Sequence, residues 1–350
     1  MRIFILTTLM LVVVVLVAVI RKPYTETMTW TAMGTFASAT VTCQNQKTAL
    51  TYFKVAKDTF AEVESQLSIF KATSDISTIN NSPTGVLISV GEHARNNLAA
   101  SERFYRISGG TFDPTVGPLM RLWGFRSQTP LKELPSAEAV DKARPMCGFT
   151  NLILTKEGVI LRKNGIKVDL GGIAKGYAVD KCYERLKAMG ANNFLVNLGG
   201  NIRCSGLSPQ GTDWRIAVRS PFDPMDILGT ITLKDGMAVG TSGNYEKFVT
   251  INGTNYSHIM NPLTGRPAHG IAAVTILCLT ATETEGLSKP LFITGPDNAM
   301  PMIINVPGSH ALFIPDSKPV SIIMTPGMNN YFTLNPEHEN IKIVSITNAI

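Results

Sequence analysis

Apolar residues Phe53, Ala56, Phe60, Val63 and Leu67 recur at spacings of three and four, which predicts an amphipathic helix over 46–69. Just before it, 29–41 alternates and is rich in Thr, Ala and Val, the pattern of a half-buried strand. A turn at Asn80-Asn-Ser-Pro-Thr-Gly85 leads to a second helix over 91–107, closed by Gly109-Gly110. A third helix is predicted over 174–189 and stops at Gly190. From residue 194 the pattern shortens to strand-like runs at 194–197, 202–206, 214–219, 229–233, 237–241, 247–251, 272–280, 302–306, 310–314 and 320–324. One more helix, near 283–294, is expected to end or kink at Pro290, because proline lacks the N–H and crowds the preceding turn. Helices in the first half and antiparallel-looking strands in the second predict an α+β fold rather than a βαβ array.

The N-terminus changes the picture. Phe4 to Ile20 is apolar apart from Thr7 and Thr8, just long enough to cross a bilayer core, with no small-x-small cleavage pattern and no cysteine at its end. It reads as an uncleaved signal anchor over 1–22, with the body outside the cytoplasm. The charge pattern runs against that orientation, since only Arg2 precedes the run while Arg21 and Lys22 follow it. The body is expected over 28–330, with 331–350 as a C-terminal tail. A net charge of +6 without a basic run or aromatic-interleaved stripe argues against nucleic acid as a partner. Cys43, Cys147, Cys182, Cys204 and Cys278 form no CxxC pair, which excludes a zinc ribbon or redox dithiol and leaves small buried hydrophobes as the ordinary reading.

Candidate chemistry concentrates at Lys167-Val-Asp-Leu-Gly-Gly-Ile-Ala-Lys-Gly-Tyr-Ala178, where a strand end runs through paired glycines into a helix. Glycines there let a ligand approach the backbone, the helix N-terminus offers unpaired N–H groups, and Lys175 adds a full positive charge. That combination suits a phosphate. Five further segments carry Gly, Pro, Asp and Thr beyond what core strands need: Met33-Gly-Thr35, Phe112-Asp-Pro-Thr-Val-Gly-Pro-Leu119, Asn197-Leu-Gly-Gly-Asn201, Gly240-Thr-Ser-Gly243 and His258-Ile-Met-Asn-Pro-Leu-Thr-Gly265. Any one is readable as a plain turn; six meeting at one cleft is how a large phosphate-bearing ligand is held.

Those six segments, in this order and with Leu122-Trp-Gly-Phe125 after the second, resemble the bacterial FAD:protein FMN transferases, the ApbE-like flavin transferases, over about residues 28–330. The resemblance implies a single two-lobed, T-fold-related α+β domain with mixed and antiparallel sheets. It implies Mg²⁺-assisted cleavage of FAD at its pyrophosphate, with FMN passed to a Thr or Ser hydroxyl of an acceptor flavoprotein and AMP released. Such acceptors carry an Asp-x-x-Thr-Gly-Ala-Thr type motif, absent from this chain, and a membrane redox subunit is the expected client. By position, Met33 would touch the flavin nucleotide, Phe70 would stack on a ring, and Thr111, Phe112 and Asp113 would line the FAD pocket. Asp169 and Lys175 would hold ribose and phosphate, with His258 and Ile259 beside the pyrophosphate. His258 and Asn261 fall at the catalytic segment, and the Gly172 carbonyl, Glu285 and Lys289 at the metal positions. Read without the resemblance, Met33 and Phe70 are also plausible core residues, Asp113 and Asp169 turn or capping aspartates, and His258 a satisfied polar residue at a strand end.

Four positions depart from the family pattern. Glu285 stands for an Asp, Lys289 for a Thr metal ligand, Asn261 for an Asp, and Phe70 for a Tyr. A protonated lysine has no acceptor and cannot ligate, and an amide cannot take a proton. Either Lys289 replaces the cation, or magnesium still binds through Glu285, the Gly172 carbonyl, water and phosphates. A non-catalytic FAD-binding accessory protein and an FAD pyrophosphatase are the alternative functions.

Overall fold

The computed structural model describes residues 23–127, 131–245 and 247–346. The anchor expected over 1–22 lies outside them. Among the described residues no helix is long and apolar enough to cross a membrane.

The chain opens with a hairpin of β1 (Tyr24–Ala32) and β2 (Thr35–Cys43), in register from Tyr24↔Cys43 to Ala32↔Thr35. The single strand expected over 29–41 is therefore two. Met33 (φ 49°) and Gly34 (φ 69°) are both left-handed, as a two-residue loop matched to strand twist requires, and the inward-facing set shifts phase across it, from Met28, Trp30 and Ala32 to Thr35, Ala37 and Ala39. The helix α1 (Gln46–Leu67) follows, its Asn45 cap accepting the Thr48 N–H, and buries Phe53, Ala56, Phe60, Val63 and Leu67. Next come α2 (Asp75–Asn81), β3 (Leu87–Ile88), α3 (Glu92–Ile107), α4 (Gly117–Leu122), α5 (Ala137–Ala143), β4 (Leu152–Leu154) and β5 (Val159–Leu161). Of these only α3 was periodic enough to predict.

The third predicted helix is α6 (Ala174–Ala188). Then follow β6 (Asn193–Leu198), β7 (Asn201–Ser205), β8 (Trp214–Arg219), β9 (Ile227–Leu233) and β10 (Ala238–Gly243). Two short hairpins and a long strand come next: β11 (Phe248–Ile251) with β12 (Thr254–Ser257), β13 (Met260–Asn261) with β14 (Arg266–Pro267), and β15 (Ile271–Cys278). The C-terminal part is α7 (Ala281–Thr294), α8 (Ala299–Ile303), β16 (His310–Pro315), β17 (Ser321–Met324), β18 (Phe332–Leu334) and β19 (Lys342–Ser345).

Nine strands form one sheet in the order β1-β2-β6-β7-β10-β15-β16-β17-β19, antiparallel except for the final β17–β19 pair. β15 is buried at every position because layers cover both of its faces. On one face lie α1, α6 and α7 over Val41, Phe194, Val196, Val274 and Ile276. On the other, Leu277, Leu312, Ile314 and Ile322 meet Trp214, Ile231, Leu233 and Phe332 of a three-stranded sheet, β18-β9-β8. The stretch after residue 330 thus contributes strands to two sheets.

Two expectations change. The strand predicted over 302–306 is not formed; Met302 and Ile303 end α8, because a short apolar run suits a buried helix turn as well as a strand. And α7 runs through Pro290 to Thr294. Burial of Leu287, Leu291 and Phe292 offsets a proline cost of about 3 kcal/mol, with each side chain contributing roughly 1.5–3 kcal/mol.

Candidate active site

The glycine turn delivers α6 against α7 at very short range. A Cβ on Gly176 would stand 2.2 Å from the Ala281 carbonyl oxygen, so glycine is what lets the helix starts touch. Asp180, one turn further along α6, accepts the N–H groups of Ala281 (2.9 Å) and Thr282 (2.8 Å) and the Thr282 hydroxyl (2.6 Å). It also pairs with Arg203 at 2.9 Å, whose guanidinium covers the Tyr183 ring. Burial raises the Asp180 pKa, while Arg203 and these donors pull it down. Sequence reading passed over Asp180; the one signal was an acid in the middle of an otherwise buried helix stretch. Asp180→Asn keeps the shape and removes the charge facing Arg203. It should cost about 1.5–3 kcal/mol of unfolding free energy, read by denaturant titration.

This clamp sets the register that brings Glu285 of α7 to the start of α6. Glu285 is 1% exposed. Its Oε1 accepts from the Lys175 ammonium and, at 3.3 Å, from that of Lys289; its Oε2 accepts the Gly176 N–H at 2.8 Å. Burial alone would raise the carboxyl pKa, but Lys175, Lys289 and the N–H outweigh it and bring it down to about 2. The Lys289 Cε lies 3.9 Å from where a Gly172 Cβ would stand, with the Phe112 ring on the same spot at 3.6 Å. Phe112 itself packs on Phe104.

His258 faces this cluster. Its Nδ1 lies 3.0 Å from the Lys247 carbonyl oxygen, which can only accept, so the proton sits on Nδ1 and Nε2 keeps its lone pair. Burial first, then the charges of Lys289, Lys175 and Lys247, lower its pKa to about 4. The imidazole is neutral at physiological pH.

The fold thus gathers Phe112, Gly172, Lys175, His258, Glu285 and Lys289 in one place. A second group lies beside a cavity of about 230 Å³ lined by Phe70, Asn80, Arg121, Arg126, Lys167 and Asp169, among others. Asp169 receives Arg126 Nε (2.8 Å) and Nη2 (2.5 Å) and caps Gly171 N–H. Phe70 is 81% exposed, an open ring face at the cavity rather than a core residue. Arg126 was missed, although it directly follows the Leu122-Trp-Gly-Phe125 string.

Other expected residues spend their polar groups locally. Asp113 binds the Thr115 N–H and hydroxyl and the Gly148 N–H, and burial raises its pKa against those donors. Thr111 donates to the Ser108 carbonyl, and Asn261 caps the Leu263 N–H. Ile259 is 3% exposed, and its carbonyl accepts from Ala268. Met33 occupies the left-handed hairpin tip.

The resemblance implies Mg²⁺ at Gly172, Glu285 and Lys289, and these residues do not fit it. Any ion on Glu285 Oε1 would share that oxygen with two ammonium groups. A divalent ion ~4 Å from one ammonium is repelled by about 8 kcal/mol at an effective dielectric constant near 20. Among the described residues no group of three or more His, Cys, Asp or Glu could hold a metal.

The sequence profile of the ApbE family matches residues 33–313. A FAD:protein FMN transferase of Vibrio cholerae is 33% identical over 242 residues, spanning 68% of this chain and 72% of that protein. One from Haemophilus influenzae is 31% identical over 74% of this chain and 76% of its own length. Among solved structures, the flavin transferase ApbE from Vibrio cholerae superposes with a TM-score of 0.80 at 26% identity, covering 88% of this chain and 99% of that one. The ApbE protein of Thermotoga maritima gives 0.76 at 31% identity, covering 84% and 95%. With the glycine turn, the histidine segment and the two-helix clamp in place on this fold, the chain belongs to the ApbE family.

Proposed function

We propose that this protein is an FAD:protein FMN transferase: it takes FMN from FAD and attaches it through phosphate to a hydroxyl of an acceptor protein. The observation that carries this reading is the convergence of a cationic helix start, Lys175 with Lys289, on a neutral histidine with an open Nε2. The phosphoanhydride bond of FAD breaks, the new phosphoester bond forms to the acceptor oxygen, and the hydroxyl proton goes to a base. His258 is the side chain suited to receive it, being unprotonated and beside the charges that would bind phosphate. Lys175 and Lys289 neutralise charge on the leaving AMP phosphate. The exposed Phe70 face and the Arg126–Asp169 pair suit a flavin ring and its polar chain.

We further propose that the acceptor carries an Asp-x-x-Thr-Gly-Ala-Thr type motif and belongs to a membrane redox complex. The apolar run at Phe4–Ile20 supports an anchored enzyme working on the extracytoplasmic side. The test is to mix the protein with FAD and an acceptor bearing that motif, then read acceptor mass and released AMP. One FMN gained per acceptor with equal AMP supports the transferase. FAD bound with no AMP indicates an accessory flavin-binding protein, and FMN plus AMP without acceptor indicates a pyrophosphatase.

A further inference from the structure

We propose that this chain carries the positive charge of its phosphate site in its own side chains, with Lys289 in place of a divalent cation, so that it binds flavin dinucleotide independently of Mg²⁺. The inference deepens the flavin-transferase reading and rests on it for the identity of the ligand, but not for the statement about metal.

Three observations carry it. The Glu285 carboxylate has both oxygens committed, Oε1 to two ammonium groups and Oε2 to the Gly176 N–H. Lys175 and Lys289 bring two ammonium groups onto one carboxylate at the N-terminal end of α6, where the helix dipole already favours an anion. The Lys289 stem lies beside Gly172, so its ammonium is delivered to the glycine turn itself rather than to bulk solvent. Side-chain exposures of 18% for Lys289 and 24% for Lys175 leave both reachable from the cleft, while Glu285 at 2% serves as the buried tether that holds them. A lysine is a compact point charge suited to phosphate.

The test uses the full-length protein and Mn²⁺ as a spectroscopic stand-in for Mg²⁺. Electron paramagnetic resonance should show no stoichiometric Mn²⁺ bound, with or without FAD, at millimolar metal. FAD affinity, read from flavin fluorescence, should be the same in chelator and in excess Mg²⁺. The double variant Lys289→Thr with Glu285→Asp restores oxygen ligands and removes the ammonium. It should bind one Mn²⁺, and its FAD affinity in chelator should fall about 10–100-fold and recover with Mg²⁺. Stoichiometric Mn²⁺ in the unaltered protein, or FAD binding that tightens about tenfold with Mg²⁺, overturns the inference. If FAD fails to bind under every condition, the flavin reading falls, and the Mn²⁺ measurement still decides the question of metal.

Discussion

Glu285→Ala should lower the unfolding free energy by about 3–5 kcal/mol, because it removes the buried acceptor that two partly buried ammonium groups and one helix-start N–H share. The loss belongs to the donors deprived of this acceptor more than to the pair itself. Adding Lys289→Met, which keeps the length of the stem and removes one of those charges, should therefore recover part of the loss. A double-mutant cycle by denaturant unfolding reads this directly. If the double variant is no more stable than Glu285→Ala alone, Lys289 is not coupled to Glu285 in the folded protein. The same carboxylate makes stability depend on pH with a defined sign. Its folded pKa of about 2 lies below its ordinary 4.5, so its contribution is complete above pH 4.5 and is lost as pH falls toward 2. His258 adds to this in the same direction: its folded pKa of about 4 lies below 6.5, so the unfolded chain protonates first and stability falls between pH 6.5 and 4. Thermal midpoints measured from neutral pH downward should decline in two stages, the first smaller in a His258 variant and kept in part by His310, whose pKa burial also lowers.

His258→Ala should reduce the rate of FMN transfer by about 10²–10⁴-fold with FAD binding close to normal, as expected for loss of a proton acceptor. The unaltered enzyme should keep its rate down to the acid side, with the acid limb of kcat near pH 4, where the imidazole becomes charged. A limb near 6.5 would mean that neither burial nor the three lysines around His258 depress its pKa. Asn261→Asp, which provides a carboxylate in the same segment, separates the alternatives. A partial rescue of His258→Ala by that change would show that a carboxylate at 261 can take the proton once the imidazole is gone, whereas no rescue leaves His258 as the one acceptor position in the segment.

Much of the site was legible because its chemistry is short-range. Paired glycines before Lys175, the Asp113-Pro-Thr-Val run and His258 with its following turn announce themselves by residue type at fixed spacing, independent of what packs on them. Phe70 was readable as a ring of uncertain purpose, and only its exposure shows that it is not core. Asp113 shows the opposite case. An aspartate after an aromatic looks like a ligand-facing carboxylate, yet its oxygens are used by Thr115 and Gly148, the latter 35 positions away. Arg126 and Asp180 were invisible for the same reason: a charge has meaning only once its partner is known, and theirs are Asp169 and Arg203. The hairpin tip at Met33 was missed because a two-residue loop shifts the alternation by a single residue, a small break inside a run otherwise rich in Thr, Ala and Val.

The sequence by itself determined the helices α1, α3 and α6, the α+β class, the glycine turn at a helix start and the substitution of lysine at position 289. Each follows from local periodicity, capping and turn chemistry, which act within a few residues. The tertiary structure alone decided that Lys175 and Glu285, 110 positions apart, share one buried oxygen with Lys289. That arrangement exists because Gly176 lets α6 touch the first turn of α7 and Asp180 pins it there, and a contact between elements is set by packing, not by either element's own pattern.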